Sequence, residues 1–238
     1  MLVQELSLSI AAGEFLAILG RNGTGKSLTL HALAGLAAPH SGRVLLQGRN
    51  LRRLSRRRVA RQLGLLLQDR EESLAMTTLE SVLIGRHPHL QFWQREGAQD
   101  LAIAHHALER LGLAACAMRP VTTLSGGEQR RAAMAALLAQ SPRIYLLDEP
   151  SNHLDPHHQI EILTLFRELC GEGASVIATL HEPTLAERFA DRVLLLHGDG
   201  RHALGPAAEL LSAQTLSALY QTPMQVLGQA PRRAFIPA

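Results

Sequence analysis

The chain has 238 residues, 46% apolar but only 3% aromatic, and carries 24 Lys+Arg against 21 Asp+Glu. That is long enough to bury a core unaided. Its two cysteines, Cys116 and Cys170, fit neither a disulfide framework nor a paired zinc spacing, so a reducing compartment is expected. No apolar run approaches the roughly 18 residues that cross a bilayer. No cation precedes Arg21, which excludes the charged start of a secretion signal and leads us to expect a cytosolic chain.

In chain order, Glu14 to Leu19 reads as a short apolar strand, and Ser27 to Leu36 as a helix closed by Gly35 and Pro39. Between them Gly20-Arg21-Asn22-Gly23-Thr24-Gly25-Lys26-Ser27 fits the phosphate-loop pattern G-x-x-x-x-G-K-[ST], in the strand-loop-helix context the pattern requires. Glycines let successive backbone N–H groups face a phosphate chain, Lys26 bridges the outer oxygens, and Ser27 is the residue to hold Mg2+. Lys26 is the single lysine beside 23 arginines. A compact ammonium suits a tight anionic pocket better than a broad guanidinium fork.

Ser41 to Gly48 reads as a turn and strand, Leu51 to Gln62 as a basic helix, and Leu63 to Leu67 as a strand. Seven arginines (Arg49, Arg52, Arg53, Arg56, Arg57, Arg58, Arg61) fall in this region without an acid; the remaining 17 cations face 21 acids, a balance of −4. The local charge has two readings: a patch for nucleic acid or anionic lipid, or a solvated helix face beside a few buried leucines, which the sequence favours. Few aromatics leave little for base stacking. From Thr77 to Pro120 the pattern is mostly helical, broken by a loop from His87 to Gly97, as in a separate helical lobe.

A helix from Gly126 to Gln140 opens on Leu124-Ser125-Gly126-Gly127-Glu128-Gln129. Ser125 is an N-cap with a free hydroxyl, and the two glycines leave N–H groups open to a γ-phosphate. One nucleotide needs only one such cradle, so a second suggests a nucleotide held by another copy in a head-to-tail pair. The strand Ile144 to Leu147 ends in Asp148 and Glu149. Asp148 suits the Mg2+ shell, and Glu149 suits orienting and deprotonating a water; acids there also serve as turn caps. A helix from Pro156 to Cys170, a strand from Ala174 to Leu180, a hairpin of Val193 to His197 with His202 to Gly205, and a last helix complete a parallel sheet flanked by helices.

With the phosphate loop and the paired acids, Leu124-Ser125-Gly126-Gly127-Glu128-Gln129 resembles the signature of the ATP-binding cassette ATPases. The resemblance implies an α/β P-loop NTPase with a mostly parallel sheet, a small antiparallel β subdomain and an inserted helical subdomain. It implies one ATPase domain over 1–238: a RecA-like core at about 1–76 and 121–220, a helical subdomain at about 77–120 and a tail at 221–238. It assigns ATP and Mg2+ as cofactors. Gln68 matches the glutamine that contacts the magnesium and its water. Asp155, in Ser151-Asn152-His153-Leu154-Asp155, matches the residue that communicates across the dimer, and His181 the histidine on the γ-phosphate. The family's adenine-stacking aromatic falls roughly 25 to 30 residues before the P-loop lysine, at or before Met1, which implies an upstream start or a weakened base contact. His153, His157 and His158 are read as loop residues rather than metal ligands, and His105-His106 as helix surface.

Ile84-Gly85-Arg86-His87-Pro88-His89, with Ser151 to Asp155 and His157-His158-Gln159, resembles the subfamily serving iron-siderophore, haem and vitamin B12 uptake. The implied protein is the ATP-hydrolysing subunit of an importer at the cytoplasmic face of the inner membrane. Its implied partners are a second copy of itself, two transmembrane permease subunits and, indirectly, a periplasmic or extracellular substrate-binding protein, with nucleic acid not among them. The alternative is a soluble ATPase of the same family, or an ATP-switched nucleic-acid-binding regulator using residues 49–61.

Overall fold

A computed structural model describes residues 2–68, 76–91, 93–152, 154–229 and 233–238. In chain order the elements are β1 (Phe15–Gly20), α1 (Lys26–Leu33), β2 (Leu45–Leu46), β3 (Arg49–Asn50), α2 (Arg56–Ala60), β4 (Leu63–Leu66), α3 (Thr78–Leu83), α4 (Ala98–Arg110), α5 (Gly126–Gln140), β5 (Ile144–Leu147), α6 (Pro156–Gly171), β6 (Ser175–Thr179), α7 (Pro183–Phe189), β7 (Arg192–Leu196), β8 (His202–Pro206), α8 (Ala207–Leu210), α9 (Ala213–Tyr220), β9 (Met224–Leu227) and β10 (Ala234–Pro237). The chain forms two compact units, one of Met1–Val44 with Tyr145–Ala238, the other Leu45–Ile144. No helix among the described residues is long and apolar enough to cross a membrane.

The first unit is built on strands in the order β5-β6-β1-β7-β8. β1 pairs in parallel with both neighbours, Phe15 opposite Val176 and Leu16 opposite Arg192, and β8 returns antiparallel to β7. Phe15, Leu16, Ile18 and Leu19 have no exposed surface, and neither do Val193 to Leu196. Such unbroken apolar runs belong to strands covered on both faces. α6 supplies Leu163 and Phe166 to the same core, and Phe166 meets Tyr145 edge to face at 5.5 Å. β1, β5 and β6 end at the loops carrying Gly20, Asp148 and His181, the edge where ligands of open α/β sheets bind.

The second unit holds the hairpin of β2 and β3, then the arginine-rich stretch. One basic helix was expected over Leu51 to Gln62, but two N-caps divide it. Asn50 Oδ1 accepts from the Arg52 N–H of a 3-10 turn, Leu51–Arg53, and Ser55 Oγ accepts from the Arg58 N–H to start α2 afresh. Arg57 and Arg61 of this stretch bond to backbone. Arg57 Nε and Arg61 Nε donate to Pro88 O at 3.0 and 2.7 Å, closing the carboxyl end of the 3-10 turn Ile84–His89. That turn occupies part of the expected loop from His87 to Gly97, of which residue 92 lies outside the described residues.

This 3-10 turn lies flat against α5. A Cβ on Gly85 would stand 2.0 Å from Ala136 O, so only glycine permits the approach. Arg86 Nη1 then donates to Ala139 O at 2.7 Å, while its Nε pairs with Asp100 of α4 at 2.9 Å, both side chains being buried. His89 Nε2 meets Gln140 O at 2.8 Å. The carbonyls of Ala139 and Gln140 at the end of α5 thus meet side chains.

Candidate active site

The phosphate loop leaves β1 and enters α1 through Gly25, whose φ of 98° is a left-handed conformation that glycine adopts at little cost. Thr24 Oγ1 donates to Arg21 O at 2.9 Å, closing the loop. Lys26 curls back into it, its Nζ 2.8 Å from Gly20 O and 3.2 Å from Arg21 O. Burial holds the Lys26 ammonium below the usual lysine pKa, opposed by the charges of Glu149 and Asp148. A partly desolvated cation inside a curl of backbone is a receptor for anions. Asn22 and Gly23 lie exposed on the rim, and the Arg21 guanidinium turns away to donate to Gln221 Oε1.

Asp148 and Glu149 follow β5 and are buried, at 1% and 5% exposed. One hydroxyl joins them: Thr179, at the end of β6, donates to Asp148 Oδ1 at 2.7 Å and accepts the Glu149 N–H at 2.8 Å. Thr179 itself is fully buried. Glu149 holds φ at +49°, a left-handed conformation for a residue with a Cβ. Its carboxylate takes two partners, His181 Nε2 at 2.5 Å on Oε1 and the Asn152 amide on Oε2. The structure therefore joins Gly20 to Ser27, Asp148, Glu149 and His181 in one place, through Lys26 and the strand ends. Ser27 and Asp148 offer a hydroxyl and a carboxylate, hard oxygen donors of the kind that complete an Mg2+ shell with phosphates and waters.

Asp155 caps α6, accepting the His158 N–H at 3.0 Å and lying 2.7 Å from His158 Nδ1. These bonds lower its pKa. His157 sits 3.2 Å from Glu161, and His153 lies outside the described residues. No group of three or more His, Cys, Asp or Glu able to hold a metal ion occurs among the described residues.

Gln68 and Ser125 to Gln129 belong to the second unit. Gln68 is exposed, its carbonyl 3.5 Å from Arg130 Nη1, and the same guanidinium reaches Leu67 O. Ser125 is the N-cap of α5: its Oγ accepts the Glu128 N–H at 3.3 Å while Glu128 Oε2 accepts the Ser125 N–H at 2.7 Å. That reciprocal box is a strong start for α5 and uses one lone pair of the hydroxyl, not its proton. Glu128 is further drawn to Arg119 at 3.6 Å, and Gln129 Nε2 donates to Val121 O and Leu124 O, so both side chains shape the loop. The N–H groups of the first turn, those of Gly126 and Gly127 included, have no intrahelical acceptor.

Sequence reasoning missed Thr179 and Arg130. A threonine closing an apolar strand carries no distinctive signal, whereas the arginine pair after Gln129 was visible and went unused.

The sequence profile described as ABC transporter matches residues 3–152. A hemin import ATP-binding protein of Deinococcus radiodurans is 46% identical over 200 residues, covering 82% of this chain and 75% of that one. Among solved structures, an inward-facing metal-chelate type ABC transporter superposes with a TM-score of 0.85 at 29% identity, covering 99% of this chain and 90% of its counterpart. A dimeric ATP-binding cassette bound to ADP and Pi superposes with a TM-score of 0.75 at 28% identity, over 85% and 90% of the two chains. With a family profile over residues 3–152 and relatives of this identity over most of its length, the chain belongs to the ABC transporter family and is one of its ATPases.

Proposed function

We propose that this chain is the ATP-hydrolysing subunit of an importer for a metal chelate of the iron-siderophore, haem or cobalamin type. Two permease subunits would carry the cargo, an external binding protein would deliver it, and the chain would lie at the cytoplasmic face of the inner membrane. The haem relative, the metal-chelate transporter and the segment Ile84 to His89 support this class of cargo.

In this reading Gly20 to Ser27 hold the phosphates of ATP, with Lys26 on the outer oxygens. Ser27 and Asp148 would hold Mg2+, which would supply charge neutralisation to the phosphate oxygens, and Gln68 is the residue that the family resemblance assigns to the same ion. Glu149 accepts the proton of the attacking water as its oxygen bonds to the γ-phosphorus, the bond to ADP breaks, and His181 donates a hydrogen bond to the transferred group. A second copy supplies Ser125 to Gln129 across the nucleotide, with Asp155 at the junction, and closure of the pair drives the permease.

The contact of buried Glu149 with His181 carries the proposal, because it sets a carboxylate and an imidazole side by side near the phosphate grip. The test is ATP-driven chelate uptake by vesicles containing the chain and its permease. Wild type should transport, and Lys26→Ala should bind no ATP and transport nothing. Uptake that persists with Lys26→Ala would sink the assignment. For Arg57 and Arg61, bonding to backbone supports a structural duty rather than a nucleic-acid surface.

A further inference from the structure

The segment after α8 is unneeded for the sheet, yet its side chains and backbone reach the stretch that carries His181 at three separate points. Tyr220, the last residue of α9, donates from its hydroxyl to His181 O at 3.3 Å. One turn further on, Thr184 Oγ1 accepts the Phe235 N–H of β10 at 3.1 Å. Arg233 then grips Glu187 with both arms, Nε on Oε1 at 2.6 Å and Nη2 on Oε2 at 2.8 Å, where the Glu187 side chain is only 5% exposed. The segment is itself braced: Ser217 Oγ donates to Ala213 O and accepts the Met224 N–H, tying β9 to α9, and Phe235 is buried. A fourth link runs from Gln221, beside Tyr220, to Arg21 of the phosphate loop.

We propose that α9, β9 and β10, with Arg233, form a positioning element for His181, with Tyr220 as the residue that fixes its main chain. The inference rests on the role given to His181 above. A histidine in a loop past a strand end is free to shift by the fraction of an ångström that decides whether Nε2 meets a transferred group, and displacements of that size are what catalytic geometry penalises. Tyr220 and the Thr184 and Glu187 anchors remove that freedom at three points along one segment. The buried setting of Tyr220, which pushes its pKa up to about 12, keeps its proton in place as a donor.

The test is a double-mutant cycle on the full chain, measured by single-turnover ATP hydrolysis with ATP affinity and melting temperature recorded beside it. Tyr220→Phe removes one hydrogen bond, and we expect kcat about five- to tenfold lower with ATP affinity within about twofold of wild type. In a His181→Ala background the same change should lower the residual rate by less than about twofold, because the side chain being positioned is gone. Thr184→Val, read in both backgrounds, serves if the tyrosine variant does not fold. Equal losses in both backgrounds, or no loss in either, overturn the proposal. Full activity in His181→Ala alone would instead overturn the role of His181 itself.

Discussion

Nε2 of His181 lies 2.5 Å from Oε1 of Glu149, and the Asn152 amide holds the other oxygen of that carboxylate. Both oxygens of the Glu149 carboxylate are therefore engaged by side chains. A water that Glu149 is proposed to deprotonate must displace or share one of these partners.

Glu149→Gln keeps the shape and hydrogen bonding of the side chain but removes a base. Turnover should fall by about a hundredfold or more, while ATP binding persists and a stable dimer accumulates with ATP and Mg2+. Radiolabelled phosphate release and light scattering after size exclusion read the two halves; undiminished turnover removes Glu149 from the role of base.

Thr179→Val should weaken both fold and chemistry. It leaves Asp148 Oδ1 and the Glu149 N–H in a buried site without their shared hydroxyl, a loss of about 1 to 3 kcal/mol for each stranded group. Urea denaturation should show the stability change, and kcat should fall more than ATP affinity. A valine variant as stable and active as wild type would mean the hydroxyl holds nothing.

Burial lowers the Lys26 pKa, so the ammonium is lost at a lower pH than in an ordinary lysine. Between the folded and unfolded pKa values the unfolded chain binds more protons, so the nucleotide-free protein gains stability as pH rises through that window. ATP affinity moves the opposite way, falling as the positive charge disappears. Fluorescent-nucleotide titrations from pH 7 to 10 should show weakening below pH 10; flat affinity would place the phosphate charge elsewhere.

Gly85→Ala drives a methyl group into the Ala136 carbonyl and Arg86→Ala strands Asp100 in a buried site. The first should cost about 1 to 3 kcal/mol or more, the second about 3 to 5 kcal/mol. Melting curves of the two variants check this, and an unchanged melting temperature for either would show that the 3-10 turn is not fixed to α5 as drawn.

Much of this could be read from the residues. β1 and β5 announce themselves as unbroken apolar runs, and α5 by Ser125 with Glu128 three positions later. Gly20 to Ser27 declares its chemistry because few loops combine that glycine spacing with a lysine at a helix start. What stayed hidden depends on tertiary partners. α7, starting at Pro183 beside a strand end, shows no clear helical stripe. β9 and β10 are only four residues each, too short for a readable alternation, and they are held because Phe235 and Arg233 find α7. Ile84 to His89 was legible as a resemblance, but its reason, the fit of Gly85, Arg86 and His89 to the end of α5, required coordinates.

The left-handed turn at Glu149 has a wider implication. A side chain there opposes the steric preference of L residues by about 1 to 2 kcal/mol, and a glycine would relieve it. Keeping the acid and relieving the strain exclude one another at this peptide, so any gain in durability there comes at the cost of the carboxylate.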